Sequence, residues 1–345
     1  MWQAKSEHYE VWKGISLLGL TWNHLVLWPL TNLSFTLKLT YQSIGWFTFA
    51  AVYYSIAGII WGRRVQTETQ YWKWNLRRAA KLLLWVAAAT LILVLSFHYQ
   101  WLSPAPWQTQ IQWTGDKPLL KAILGTRIPW LIDVIWLHCW LGLFTALLWR
   151  CPVLRDNQIL LASVSLLVWT LSQFRIFEWE FLIREAPSWH SWTSWQLLFV
   201  LSALSQQKKF ISRIKLLCQS KSQKILALAA VLFFVGKNIS GENIHFEFGS
   251  AQNFAPIFAL NSLLIITLLH SAEKIEFPAY IRQIGRYSLT GYSLQCALVY
   301  ALGEFSIRHK INILESALLL FSCLVSMIFT SKVIHVWREK WQYLF

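Results

Sequence analysis

The chain has 345 residues, of which 56% are hydrophobic and 14% charged, and its mean hydropathy is +0.41. That balance excludes a protein made mainly of water-soluble surface. The net charge of +15, from 31 Lys and Arg against 16 Asp and Glu, would raise nucleic-acid binding in a soluble protein. In so apolar a chain, basic loops that set membrane topology and meet anionic lipid account for it.

A bilayer core about 30 Å thick takes about 20 apolar residues per helix. Apolar runs occur at 13–30, 43–62, 79–101, 130–149, 157–174, 193–206, 223–238, 253–271, 285–304 and 313–336. They predict an all-α fold, a polytopic transmembrane helical bundle of about ten spans, as one integral membrane domain over 1–345 with no soluble module. The first run follows an N-terminus of mixed charge and lacks a small-residue cleavage site, so it reads as a retained signal anchor. Many of the 23 Trp residues, among them Trp22, Trp61, Trp72, Trp101 and Trp195, sit at the ends of runs. Amphipathic rings favour the headgroup zone there.

With a cytoplasmic N-terminus, the inner loops hold Arg63, Arg64, Lys73, Arg77 and Arg78, then Arg150 and Arg155, then the basic stretch from Lys208 to Lys224, then Lys274 and Arg282. The outer loops are poorer in positive charge, which predicts both termini in the cytoplasm. The longest outer segments, 102–129 and 175–192, contain Trp, Pro and charge and fit short interfacial helices or a lid. The five cysteines are odd in number and widely spaced, which indicates neither a disulfide framework nor a zinc site. His98, His138, His270 and His335 show no HxxH, HExxH or Cys/His cluster, so no metal site is expected and a haem or quinone protein is a remote reading.

An ionisable group inside an apolar span costs about 2.5–3.5 kcal/mol on insertion scales and is a functional candidate by default. Lys13 and His24 are eleven residues apart, three helical turns plus about 20°, so they share one helix face about 16 Å apart along the axis. Glu10 lies one turn before Lys13. A neutral imidazole at that depth can take a proton from a hydroxyl; equally, it can be a plain interhelical hydrogen bonder, with Asn23 helping. Arg77, Arg78 and Lys81 open the third run, where Arg78 and Lys81 are one turn apart and can converge on one anionic group. A topology-setting cluster that snorkels to headgroups would look the same. Asp133, at the start of the fourth run, could orient or charge-compensate His24 across helices. Gln196, in the sixth, could bond a substrate oxygen or join two helices, while Glu304 and Glu315 look like solvated rim charges.

Lys13, ten residues and then His24 resemble the Arg/Lys-x10-His signature of the membrane acyltransferase superfamily that carries acyl groups from cytosolic acyl-CoA to extracytoplasmic sugars. Glu10-Val11-Trp12-Lys13-Gly14 looks like that group's Asp-x-x-Arg-Gly start, with both charges conservatively exchanged. The similarity extends to its OpgC branch, whose members succinylate osmoregulated periplasmic glucans. It is carried by Thr40-Tyr41 to Gly45, Ala57-Gly58-Ile59-Ile60-Trp61-Gly62, Arg77-Arg78, Ile132-Asp133-Val134, Ser194-Trp195-Gln196-Leu197-Leu198-Phe199-Val200 and Gly285-Arg286-Tyr287-Ser288-Leu289. The order and spacing cover nearly the whole chain. It departs from the branch at Thr48 and Ala51, where acidic residues are usual, and at Trp136 and His138, where Pro and Tyr are usual.

The resemblance implies a bacterial inner-membrane O-acyltransferase with acyl-CoA as co-substrate, no permanently bound cofactor, and a periplasmic glucan or other cell-envelope saccharide as acceptor. It implies His24 as general base, with Lys13, Glu10 and Asp133 around it. Arg77, Arg78, Lys81, Gln196, Arg286 and Ser288 would be substrate-binding residues. A transporter or flippase for a sugar or lipid-linked substrate would use similar embedded charges and aromatic walls, and inverted repeats between halves would mark it.

Overall fold

The computed structural model describes residues 2–27, 29–36, 46–67, 71–102, 118–124, 131–173, 192–207 and 277–341. Every regular element among them is a helix, so the all-α expectation holds for the described residues. The seventh and eighth expected spans, 223–238 and 253–271, lie outside them, as does nearly all of segment 175–192. The chain divides into two compact units, one built from 1–56 with 262–345 and the other from 57–261. The sequence, read as one domain, carries no mark of this division. It falls inside α2 (Trp46–Thr67).

The first unit holds α1 (Trp2–Leu27), a 3-10 turn (Thr31–Thr36) and the start of α2. Near the end of the chain it adds a short helix, Ala279–Arg286, a longer one, Ser288–Arg308, and a last one, Ile313–Trp341. In chain order of the described helices these last three are α9, α10 and α11. Helix α1 ends just before Pro29, which has no N–H to continue the ladder. Where the sequence predicts one span from 285, the chain instead breaks at Tyr287 (φ −102°, ψ 36°) between α9 and α10.

Glycines set the packing in this unit. A Cβ on Gly285 would overlap the Glu10 carbonyl oxygen, one on Gly14 would overlap the Ile281 carbonyl oxygen, and one on Gly291 would stand 2.7 Å from Leu17 Cδ2. Helix α9 therefore runs antiparallel to the start of α1, reverses at Tyr287, and α10 climbs back alongside α1 in the same direction. Helix α11 descends again: Thr21 Oγ1 lies 3.1 Å from Met327 Sδ, and Tyr287 Oη lies 3.2 Å from His335 Nδ1. It starts abruptly because Asn312 and Glu315 cap it reciprocally, each side chain accepting from the other's backbone N–H at 2.9 and 2.8 Å. Glu315 is thus a cap residue. Glu304, expected as a solvated rim charge, is 7% exposed and accepts from Arg308 Nε at 2.6 Å.

The second unit contains the remainder of α2, α3 (Tyr71–His98), α4 (Pro118–Leu124), α5 (Asp133–Arg150), α6 (Pro152–Asp156), α7 (Gln158–Gln173) and α8 (Trp192–Leu204). Helix α4 is a short helix of the kind expected in segment 102–129. Helices α3 and α5 pack antiparallel: the Arg150 guanidinium lies 5.1 Å from the centre of the Trp72 ring, and the Cys139 thiol donates to the Ala79 carbonyl at 3.6 Å. Gly58 and Gly62, one turn apart on α2, lie against Phe199, Ser202 and Ala203 of α8 so closely that a Cβ on either would overlap backbone. Small residues at that spacing let two helices touch main chain to main chain.

Among the described residues two helices are long and apolar enough to cross a membrane, Trp72–His98 in α3 and Ile313–Trp337 in α11. Only 28% and 22% of their most apolar stretches are buried. Along α11, Leu314, Leu318, Phe321, Val325, Phe329 and Val336 are all exposed, and an apolar face of that extent calls for an apolar cover. Helices α7 and α8 are shorter, at 16 and 13 residues. Helices α1 and α10 bury Ser16, Thr21, Asn23, His24, Gln295 and Glu304, which lowers their hydropathy.

A glycine pair tests the packing. Gly285→Ala drives a methyl group into the Glu10 main chain and is expected to cost about 1–3 kcal/mol by overpacking. Gly142→Ala meets nothing within 4 Å and is expected to be neutral or stabilising by up to about 1 kcal/mol. Thermal unfolding of the two detergent-solubilised variants beside the parent measures both.

Candidate functional site

His24 is 3% exposed near the end of α1 and meets Gln295 of α10, whose side chain is fully buried. Gln295 Nε2 and His24 Nδ1 form the hydrogen bond that joins the two helices. Their meeting follows from the parallel course of α10 beside α1: Gly291 faces Leu17 and, one turn on, Gln295 faces His24. Gln295 Oε1 and both polar atoms of the Asn23 side chain are buried without a hydrogen-bond partner among the described residues. The His24 ring therefore meets a polar amide across the interface of α1 and α10.

Helix α1 is continuous from Trp2 to Leu27, so Lys13 and His24 do share a face, about 16 Å apart along the axis. Lys13 is half-buried. Glu10 does not reach His24. Fourteen residues of helix separate them by about 21 Å, and Glu10 Oε2 instead accepts from Arg286 Nε at 3.2 Å. Two residues expected at the site therefore pair with each other, Glu10 from α1 and Arg286 from the end of α9. With Arg286 40% and Glu10 20% exposed, such a pair is worth about 0–1 kcal/mol and mainly fixes register. Ser288, the first residue of α10, is half-buried beside this turn.

The other expected residues belong to the second unit. Asp133 is 5% exposed in the first turn of α5, where its Oδ1 accepts from the Val134 backbone N–H at 2.9 Å. A carboxylate in that position is stabilised by the helix N-terminus. Gln196 is fully buried on α8 and its amide is engaged at both ends, Nε2 donating to the Ser165 carbonyl at 2.8 Å and Oε1 accepting from Ser165 Oγ at 2.6 Å. It joins α7 to α8, the helix-joining role of the two weighed from the sequence.

Arg77, Arg78 and Lys81 are exposed along the first turns of α3. The Arg78 guanidinium lies 5.3 Å from the Trp74 ring centre and Lys73 Nζ 5.7 Å from that of Trp72. With Arg150 over Trp72, this end of the α3–α5 pair concentrates positive charge on aromatic supports. Ala57, Trp61, Asn75, Ala79, Leu82, His138 and Phe199 line a recess beside Arg78.

Gln295 was missed in the sequence, although an amide in the middle of an otherwise apolar run was the available signal. Asn75 was missed too, and His138 was weighed as a haem or metal ligand and as a departure from the family pattern. Comparison of the chain with protein-family models, with curated proteins and with solved structures finds no match.

The Gln196–Ser165 pair separates a structural from a substrate role. Gln196→Leu strands the Ser165 groups and is expected to cost about 1–3 kcal/mol, whereas adding Ser165→Ala should recover part of that loss. Denaturation of the single and double variants reads the recovery.

Proposed function

We propose that the chain is a membrane O-acyltransferase of about ten helical spans, in a bacterial inner membrane with both termini cytoplasmic. It moves an acyl group from cytosolic acyl-CoA to a hydroxyl of a periplasmic glucan or another cell-envelope saccharide. The observation that carries the reading is the buried His24, tied to Gln295 across two helices on the α1 face that also bears Lys13. The exposed apolar faces of α3 and α11 support the membrane setting. The cluster of Lys73, Arg77, Arg78, Lys81 and Arg150 at one end of α3 and α5 suits a cytoplasmic edge.

In this reading Arg77, Arg78 and Lys81 bind the donor's phosphates, and His24 serves the transfer of its acyl group. His24 Nε2 removes the acceptor's hydroxyl proton as the oxygen attacks the thioester carbonyl carbon. The C–S bond then breaks, the ester forms, and the imidazolium returns its proton to the departing thiolate. Abstraction at Nε2 requires the ring proton on Nδ1. The structure places Gln295 Nε2 at Nδ1; with the amide turned end for end, which moves no other heavy atom, Oε1 accepts from an Nδ1–H and holds that tautomer, and Nε2 becomes the open atom. Asn23, beside His24 on α1, offers further donors for the oxyanion of the tetrahedral intermediate.

Labelled acyl-CoA transfer in proteoliposomes tests this. His24→Ala is expected to lower transfer by about 10²–10⁴-fold, the usual contribution of a general base. Gln295→Leu should lower turnover while leaving donor affinity near the parent value. Wild-type transfer by His24→Ala would sink the proposal.

A further inference from the structure

We infer that the second unit carries an oxyanion-binding recess formed by Asn75 and Arg78 of α3 and His138 of α5. The recess is small, about 20 Å³, room for roughly one water-sized group, and it is open at its mouth. Asn75 is 3% exposed, and its Nδ2 has no hydrogen-bond partner among the described residues. A buried amide N–H left without an acceptor is costly, and here it lines a cavity. Arg78 follows one turn later at the mouth. Its stacking on Trp74 uses the face of the guanidinium, while hydrogen bonds to an oxyanion are made in its plane. His138, 8% exposed, adds an imidazole from the facing helix.

Sign and shape follow from the lining. No Asp or Glu borders the recess among the described residues, so it is rich in donors and carries the charge of Arg78, which selects an anion over a cation. Trp61 and Phe199, with ring centres 6.2 Å apart, form an apolar wall. One oxygen of a carboxylate or phosphate fits this space, with the rest of the group at the mouth beside Arg78. Gly142 leaves further room, because a Cβ there would meet nothing within 4 Å. The oxyanion can belong to a water-soluble compound or to a phospholipid headgroup.

The inference stands on the second unit alone. Where it touches the acyl-transfer reading, at Arg78, it adds a recess that grips a single anionic group beside the donor's phosphates.

The test uses the full-length protein in detergent and in nanodiscs, as wild type, Asn75→Leu, Gly142→Phe and His24→Ala. The probes are inorganic phosphate, acetate, and nanodiscs of phosphatidylglycerol or phosphatidylcholine. The inference expects phosphate or acetate to raise the unfolding temperature of wild type and of His24→Ala alike. Asn75→Leu and Gly142→Phe should each need about tenfold more anion for the same shift. A shift seen only with phosphatidylglycerol, and lost in the same two variants, assigns the lipid headgroup. Absence of any shift, or equal shifts in all four proteins, overturns the recess. Should Gly142→Phe fail to fold, Asn75→Leu alone decides. Anion binding that persists in a His24→Ala protein with no transfer separates failure of the recess from failure of the acyltransferase reading.

Discussion

Helix α1 and the α9–α10 hairpin meet main chain to main chain, and the rest of the first unit depends on how deep that contact goes. With Gly14 and Gly285 at the crossing, carbonyl oxygens of each helix occupy the volume where the other's side chains would stand. The short α9 is pinned, the chain turns at Tyr287, and α10 is committed to a course parallel to α1. A polar amide and an imidazole, far apart in the chain, are then brought into register. The second unit uses the same device where Gly58 and Gly62 seat α2 on α8. Dispersion and close approach, rather than water's preference for itself, drive association of this kind.

Polar groups follow from that packing. Gln196 and Ser165 satisfy each other and need nothing from outside. The Asn23 side chain, one polar atom of the Gln295 amide and Asn75 Nδ2 have no such partner among the described residues, and neither do Ser55 Oγ, Thr90 Oγ1 and Ser202 Oγ.

Much of this was legible in the sequence because hydrophobic length is a strong signal. The starts of α5, α8 and α11 fall within a few residues of the expected runs, and the eleven-residue spacing of Lys13 and His24 fixes a common face once the helix is continuous. The break at Tyr287 was not legible: nothing in Gly285 to Leu289 forbids a helix, and the turn is imposed by contact with Glu10. Asp133 and Gln196 illustrate the same limit. Asp133 accepts from the Val134 backbone N–H and Gln196 pairs with Ser165, and no periodicity reveals such partners. The Glu10–Arg286 pair joins residues 276 positions apart, a juxtaposition invisible to any local pattern.

The bare side of α11 also governs how the molecule behaves once removed from its surroundings. A strip of leucine, valine and phenylalanine side chains as long as the helix gives two copies in plain buffer a ready seam along which to adhere. Amphiphile above its critical micelle concentration would cover that strip, and association that grows as the amphiphile is diluted would run along it.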